Sequence, residues 1–252
     1  MATCKFLYDN LWKGIEGTDL TMTALTEETN FPVTNTQRRI PGRRWRSTNC
    51  VDDQTITVNF YAAVTIQAFA LRGNNFSAAA VVTIQGNDTD VWADPGFEAI
   101  LSPINERVMA AYFDDPVSYQ YWRLLISDAA NPDGYIEVGP IFIGPSFTPL
   151  INYKNGFAFT PEDLSIITTS AGGQRAVVIQ DQPGAWQYVF RTSEKVNFET
   201  IRAAVGRSLP FWFCEDPDDP NTKTQYVVAL AWKWDQIHMD VWNLTLTLSE
   251  EM

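Results

Sequence analysis

Apolar and polar residues alternate with a period of two along most of this chain, the pattern of strands with one face buried. QTITVNF (54–60) sets Ile56, Val58 and Phe60 on one side, and AAAVVTIQGN (78–87) sets Val82 and Ile84 in phase before a Gly-Asn-Asp turn. VTIQAFALRG (64–73), RVMAAYF (107–113) and YQYWRLLIS (119–127) are further strand-like runs. YWRLLIS (121–127) and YIEVGPIFIG (135–144), separated by the polar tract DAANPDG (128–134), read as two strands of a hairpin joined by a turn-rich loop. Asp94-Pro95, Asp115-Pro116 and Gly139-Pro140 mark loops and sheet edges, because proline cannot donate to a ladder and restricts the residue before it. Short runs with turn signals about every 8–12 residues predict a sandwich.

The pattern resets at GPSFTPL (144–150), where two prolines and a glycine mark a boundary or crossover. DLSIITTS (163–170) and RAVVIQ (175–180) flank Gly172-Gly173, a hairpin signal. WQYVFRTS (186–193) carries Trp186, Tyr188 and Phe190 in period two. One helix is predicted near 197–206: Phe198, Ile201 and Val205 share a face, Asn197 can cap the start and Gly206 can end it. Beyond it, PFWFCEDPDDPNTKTQYVVALAWKWD (210–235) reads as strand, acidic turn, strand. The closing HMDVWNLTLTLSEE (238–251) alternates Val241, Leu244, Leu246 and Leu248 with one slip. The expectation is an all-β chain with one short helix, in two β-sandwich domains at 1–147 and 148–252. The short proline-bearing handover at their junction predicts a fixed relative orientation.

Composition narrows the functions open to such a fold. The 252 residues suffice for a sizeable core. Aromatics make up 13%, with nine Trp, and only 19% of residues are charged. Such a balance suits surfaces covered by partners as well as an ordinary large core. The net charge of −12 opposes binding to nucleic acid and anionic membranes. One local exception is RRIPGRRWR, with Arg38, Arg39, Arg43, Arg44 and Arg46: a grip for a phosphate or an acidic subunit, a solvated loop, or a set of internal pairs. Cys4, Cys50 and Cys214 are odd in number and widely spaced, so buried reduced thiols are expected rather than a disulfide framework or a zinc knuckle. No apolar signal core stands at the N-terminus and no run reaches the roughly 18 residues of a membrane span. Folding in a cytoplasm without membrane insertion is therefore expected.

Catalytic chemistry finds little footing. The chain has one histidine, His238, and no nucleophile elbow, P-loop or dinucleotide fingerprint. Asp114-Asp115 are sequence neighbours, which splay rather than converge as a glycosidase pair. The acidic stretch Glu215, Asp216, Asp218 and Asp219 has oxygens enough for Ca²⁺ but lacks EF-hand spacing and is stiffened by prolines. No enzyme activity, metal or cofactor is expected. The candidate partner or ligand contacts are Trp92, in the polar segment NDTDVWADPGF, Asn74, Asn75, Arg38, Arg39, Arg43 and Arg44. Trp45, just before a strand, is read as a core plug.

The order of several pieces also resembles a known family. Asn10-Leu11, FPVTN (31–35), Trp45-Arg46-Ser47-Thr48, the TITVNF strand, AFALRGNNFSAAAVVTIQG (68–86) and YWRLLISD…GYIEVGPIFIG resemble the galactose-binding-like (discoidin-type) domain of tail proteins of long-tailed bacteriophages. The second half, with its Gly-Gly hairpin, Trp-Gln-Tyr-Val-Phe strand, short helix and LPFWFCEDP, is similar to the sandwich-plus-helix unit of distal-tail and tail-tip proteins. The resemblance implies a jelly roll followed by a distal-tail-like sandwich, in a structural protein of a phage tail tip or baseplate. Such a protein self-associates in a ring, joins tube, hub and fibres, is found in the virion tail and is assembled in the host cytoplasm. A carbohydrate-binding module attaching the virion to host glycans is the other function the family implies.

Overall fold

The alternating runs at 54–60 and 64–72 form one strand, and so do those at 108–113 and 119–127. The computed structural model describes residues 3–15, 17–38, 40, 42–101, 108–154, 158–161, 166–169, 175–178, 183–207 and 209–251. In chain order its elements begin with β1 (Lys5–Leu7), β2 (Thr21–Ala24), β3 (Trp45–Arg46), β4 (Gln54–Arg72) and β5 (Val81–Asn87). β6 (Phe97–Leu101), β7 (Val108–Ser127), β8 (Glu137–Val138) and β9 (Ile141–Gly144) follow. Then come β10 (Ala158–Pro161), β11 (Ile166–Thr169), β12 (Arg175–Val178), β13 (Gly184–Thr192) and α1 (Lys195–Val205). The chain closes with β14 (Phe211–Cys214), α2 (Pro220–Lys223), β15 (Thr224–His238) and β16 (Val241–Glu250). Strands dominate, and the sheets form a sandwich-like jelly roll. Among the described residues no helix is long and apolar enough to cross a membrane.

Contacts divide the chain into two units, Met1–Thr148 with Trp212–Thr224, and Pro149–Phe211 with Gln225–Met252. The segment 212–224 thus clusters with the first unit, whereas a contiguous division at 147/148 would leave it in the second.

In the first unit a sheet runs in the order β2-β4-β7-β5-β6, with β9 also on β4, and β3 pairs with β8. Its inner face is built from transverse rows. Met22, Val58, Trp122, Gly86 and Phe97 form one, and Ala24, Ile56, Leu124, Ile84 and Ala99 the next. Gly86 is required there: a Cβ would lie 2.7 Å from the Tyr119 ring and 3.0 Å from the Trp122 indole. Trp12, Trp45 and Trp122 are fully buried in the same core.

The two long strands stay paired because each absorbs a bulge. Between Asn59 and Val64, β4 advances by extra residues, and between Ile66 and Ala68 the extra residues, Phe113–Pro116, are on β7. Asp115-Pro116, which the sequence reads as a break between strands, sits in that second bulge, where no ladder donor is needed. The hairpin expected at 121–144 does not form. β7 pairs with β4 and β5, β8 pairs with β3, and β9 pairs with β4, because Gly139-Pro140 splits the apolar run into two strands with different neighbours.

Residues 68–71 of β4 are buried on both faces. Phe69 and Leu71 join the core, while Ala68 and Ala70 lie on the other side with Ala110, Tyr112 and Phe142. That second side meets the returning segment. The Tyr112 hydroxyl lies 2.9 Å from the Thr224 hydroxyl and also reaches the Cys214 thiol. Lys5 Nζ stands 5.7 Å from the centre of the Tyr112 ring. β1 pairs with β14, and the Phe6 and Phe213 rings are 5.0 Å apart. The Asn221 side chain accepts a 2.9 Å hydrogen bond from the Ala110 N–H. Cys4, Cys50 and Cys214 are buried thiols outside any disulfide.

In the second unit β15, β16, β13 and β10 form an antiparallel order, and β11 pairs with β12. The turn expected at Gly172-Gly173 lies outside the described residues. α1 covers an aromatic sheet face, with Phe198 5.2 Å from Phe190 and 6.2 Å from Trp234 between ring centres. Lys195 Nζ lies 3.6 Å from the centre of the Trp242 ring. The helix begins earlier than the sequence suggests, after Glu194 rather than at Asn197. Asn197 instead donates to the Glu194 carboxylate at 3.2 Å, and Gly206, at φ 59°, ends the helix as expected. A bulge at Leu230 exposes a carbonyl that accepts from the Arg207 guanidinium at 3.1 and 2.9 Å. The stretch read as an acidic turn contains the four-residue α2.

Two tests follow from the returning segment. Asn221→Ala leaves the Ala110 N–H without this acceptor and is expected to cost about 1–3 kcal/mol in denaturant unfolding. Burial, with Cys214 next in effect, holds the Tyr112 pKa well above the ordinary tyrosine value, and burial raises the Cys214 thiol too. Both stay neutral in the folded chain at pH values where the unfolded chain ionises. Their contribution to stability is therefore whole below about pH 8.5 for the thiol and 10 for the phenol, and is lost as pH rises through the raised values. Tyr112→Phe should show a constant difference in Tm from wild type through neutral pH, and the difference should move in the variant's favour above about pH 10.

Candidate functional site

The arginine cluster turns inward. Arg46 Nε and Nη2 donate to Glu137 Oε1 at 2.9 and 2.6 Å, and Arg44 Nη1 donates to Glu137 Oε2 at 3.0 Å. The Arg46 guanidinium is held between the Phe31 and Tyr135 rings, 4.1 and 4.2 Å from their centres. The hydrogen bond to Glu137 pushes its pKa further up. β3 and β8 place these groups together, since Arg46 and Glu137 are register partners. Of the open alternatives, internal pairing describes Arg44 and Arg46. Arg38 and Arg43 are exposed, and Arg39 lies outside the described residues.

Asn75 is used internally. It donates to Asp133 at 3.0 Å and to the Tyr135 carbonyl at 2.9 Å, and accepts from the Glu137 N–H at 2.7 Å. Asn74 is buried; its oxygen accepts from the Phe76 N–H at 3.2 Å and its Nδ2 has no hydrogen-bond partner among the described residues. Trp45 is fully buried, its indole N–H donating to the Thr26 carbonyl at 3.2 Å. Asp114 and Asp115 are exposed on the β7 bulge, and His238 is exposed at the end of β15. Asp216 and Asp219 are engaged in local turns: Asp216 accepts from the Asp218 N–H at 3.1 Å, and Asp219 accepts from the Thr222 hydroxyl. Among the described residues no group of three or more His, Cys, Asp or Glu is placed to hold a metal ion.

Trp92 leads to a different assembly. The loop between β5 and β6 folds back so that Arg123 lies 4.5 Å from the centre of the Trp92 ring, while the indole N–H donates to Asp90 at 2.6 Å. Arg123 Nε and Nη2 donate to Gln85 Oε1 at 2.8 and 2.6 Å, and Gln85 Nε2 donates to Glu98 at 2.6 Å. Burial lowers the Arg123 pKa from its ordinary value, and the charges of Asp90 and Glu98 oppose that shift. Registry explains the line-up: Thr23, Thr57, Arg123, Gln85 and Glu98 are successive partners across five strands. The neighbouring outer row is Thr21, Asn59, Tyr121 and Asn87, with Asn59 Nδ2 3.4 Å from the Tyr121 hydroxyl. The N–H of Tyr61, at φ 59° on the β4 bulge, donates to the Asn59 side-chain oxygen at 2.8 Å, and the Tyr61 hydroxyl meets Thr21.

No family model matches the chain, and no curated protein matches it. Solved structures do. A family 32 carbohydrate-binding module of Clostridium perfringens NanJ, in complex with galactose, is 15% identical over 57% of this chain and 99% of its own, with a TM-score of 0.43. Chitosan-binding module 1 of a Paenibacillus sp. IK-5 chitosanase/glucanase is 17% identical over 54% of this chain and 98% of its own, with a TM-score of 0.42. A Ruminococcus gnavus fucosidase in complex with fucose is 7% identical over 55% of this chain and 27% of its own, with a TM-score of 0.44. These likenesses span about half the chain, and nothing about the site rests on them.

Sequence reading selected Trp92 but missed Arg123, Gln85, Glu98, Asn59, Tyr61 and Tyr121. Their signal was the polar phase of the alternation whose apolar phase built the core.

The inward cluster yields a stability test. Glu137→Gln leaves two guanidinium groups without their carboxylate. It should cost on the order of 2–3 kcal/mol in chemical unfolding, somewhat below a fully buried pair because both arginines are part exposed.

Proposed function

We propose that this chain is a non-catalytic structural component of a phage tail tip or baseplate, self-associating in a ring and joining other tail proteins. The sequence resemblance across both halves supports that reading. The structural observation that carries it is an apolar corner of the second unit. The Leu150 N–H donates to the Glu194 carboxylate at 2.7 Å, bringing 150–151 to the start of α1. Leu150, Ile151 and Val196 there are 79, 57 and 78% exposed. Large apolar side chains left this open gain most when a protein partner covers them. The net charge of −12 disfavours a nucleic-acid role for the same surfaces. A second reading, a carbohydrate-binding module attaching the virion to host glycans, is favoured by the aromatic and amide groups on the outer face of the first unit's sheet.

Native mass spectrometry and electron microscopy of the purified chain test the main reading. Closed oligomers are expected, along with their conversion to monomers by Leu150→Asp combined with Val196→Asp at unchanged Tm. A chain that stays monomeric at all concentrations and is missing from purified virions would overturn it.

A further inference from the structure

We propose that the outer face of the first unit's β2-β4-β7-β5-β6 sheet binds a neutral oligosaccharide laid across the strands, from Tyr61 above β2 and β4 to Trp92 above β7 and β5. This rests on the carbohydrate-binding reading above, to which it adds the place on the fold and the class of glycan, and it stands or falls apart from the assembly reading. Sugar recognition needs flat apolar surfaces for the C–H faces of pyranose rings and fixed planar polar groups for the hydroxyls. Both are present. Trp92 and Tyr121 are half-buried and Tyr61 is 49% exposed. Between them the planar groups of Arg123, Gln85 and Glu98 hold one another at 2.6–2.8 Å, so little ordering remains to be done when a ligand arrives. Gln85 is 4% exposed although it lies in the outward phase of its strand, enclosed by its hydrogen-bonding neighbours. Two of the five guanidinium N–H donors go to Gln85, which leaves others for a ligand.

The backbone supplies an independent sign. Tyr61 is the non-glycine residue with positive φ, at 59°, among the described residues. For a bulky side chain that conformation is strained, and such strain concentrates where a side chain must be aimed. Here it carries the Tyr61 hydroxyl to Thr21, on the same face as Asn59 and Tyr121. Tyr61 and Trp92 are then about two strand spacings apart, roughly 10 Å, room for more than one sugar ring. Charge decides the class. Arg123 faces both Asp90 and Glu98, so the face carries no surplus positive charge to attract a sialylated or sulfated glycan. The loop residues Asn75, Arg44 and Arg46 are spent on internal bonds, which moves sugar recognition away from them and onto the sheet.

The full-length chain is applied to an array carrying neutral and anionic glycans, then titrated calorimetrically with lactose, cellotriose, maltotriose and chitotriose. Binding to at least one neutral oligosaccharide is expected, with backbone or indole NMR shifts at Asn59, Gln85 and Trp92. Trp92→Ala should weaken that binding at least tenfold at unchanged Tm. Tyr61→Gly should weaken it severalfold while Tm holds or rises, since glycine takes positive φ without strain. Silence of the array, binding confined to anionic glycans, or affinity untouched by both substitutions would overturn the proposal.

Discussion

The pairing of β4 with β7 is the constraint on which the first unit depends. β2 and β9 attach to β4, β5 attaches to β7, and β6 pairs with β5. Each of the two long strands must therefore present the right phase to several neighbours at once. Because side chains alternate, a slip of one residue would carry Trp122, Leu124 and Ile126 to the surface and Arg123 into the core. The bulges at 60–63 and 113–116 let the ladder change direction without that slip, each strand giving up residues where the other keeps its register.

The same ladder explains why one stretch is apolar on both faces. Along 54–60 the outer side of β4 carries Thr55, Thr57 and Asn59, while at 68–71 every residue is buried. Two-sided burial calls for a second covering layer, and β1, β14 and α2 supply it. Small side chains at Ala68, Ala70 and Ala110 keep that side shallow, and Asn221 takes the Ala110 N–H in the way a neighbouring strand would. An edge donor satisfied by a side chain is also one that no foreign strand can pair with. In the second unit a helix does the covering: α1 lays Phe198 on Phe190 and Trp234, and Lys195 on Trp242.

How much of this was legible depended on whether the deciding interaction was local. Strand phases were, and Ile56, Val58, Tyr188, Phe190, Leu244 and Leu246 point inward as the alternation requires. The helix face of Phe198, Ile201 and Val205 was equally readable from its spacing. Pairing partners were not: YWRLLIS and YIEVGPIFIG sit a short loop apart, yet the first pairs with β4 and β5 while Gly139-Pro140 sends the two halves of the second to β3 and β4. A proline marks a missing donor but not whether the chain there turns or merely bulges, so Asp115-Pro116 looked like a break. The helix starts before Asn197, a good cap by type, because the Glu194 carbonyl already accepts from the Asn197 and Phe198 N–H groups.

Candidate contacts show the same limit in their chemistry. Five arginines within nine residues stand out in a sequence, but a dense cluster of one charge is also what draws an opposite charge from elsewhere in the fold. Glu137, far away in sequence and register partner of Arg46, pairs with two of them. Arg123 stands out far less, one polar position in the strand YWRLLIS. Its two bonds to Gln85 and its stacking on Trp92 join two different strands and a loop, so no short window of sequence contains them. For a β protein of this kind the outward phase of the central strands deserves the same reading as the loops. It is the phase in which side chains from several strands are forced into line by the register that also builds the core.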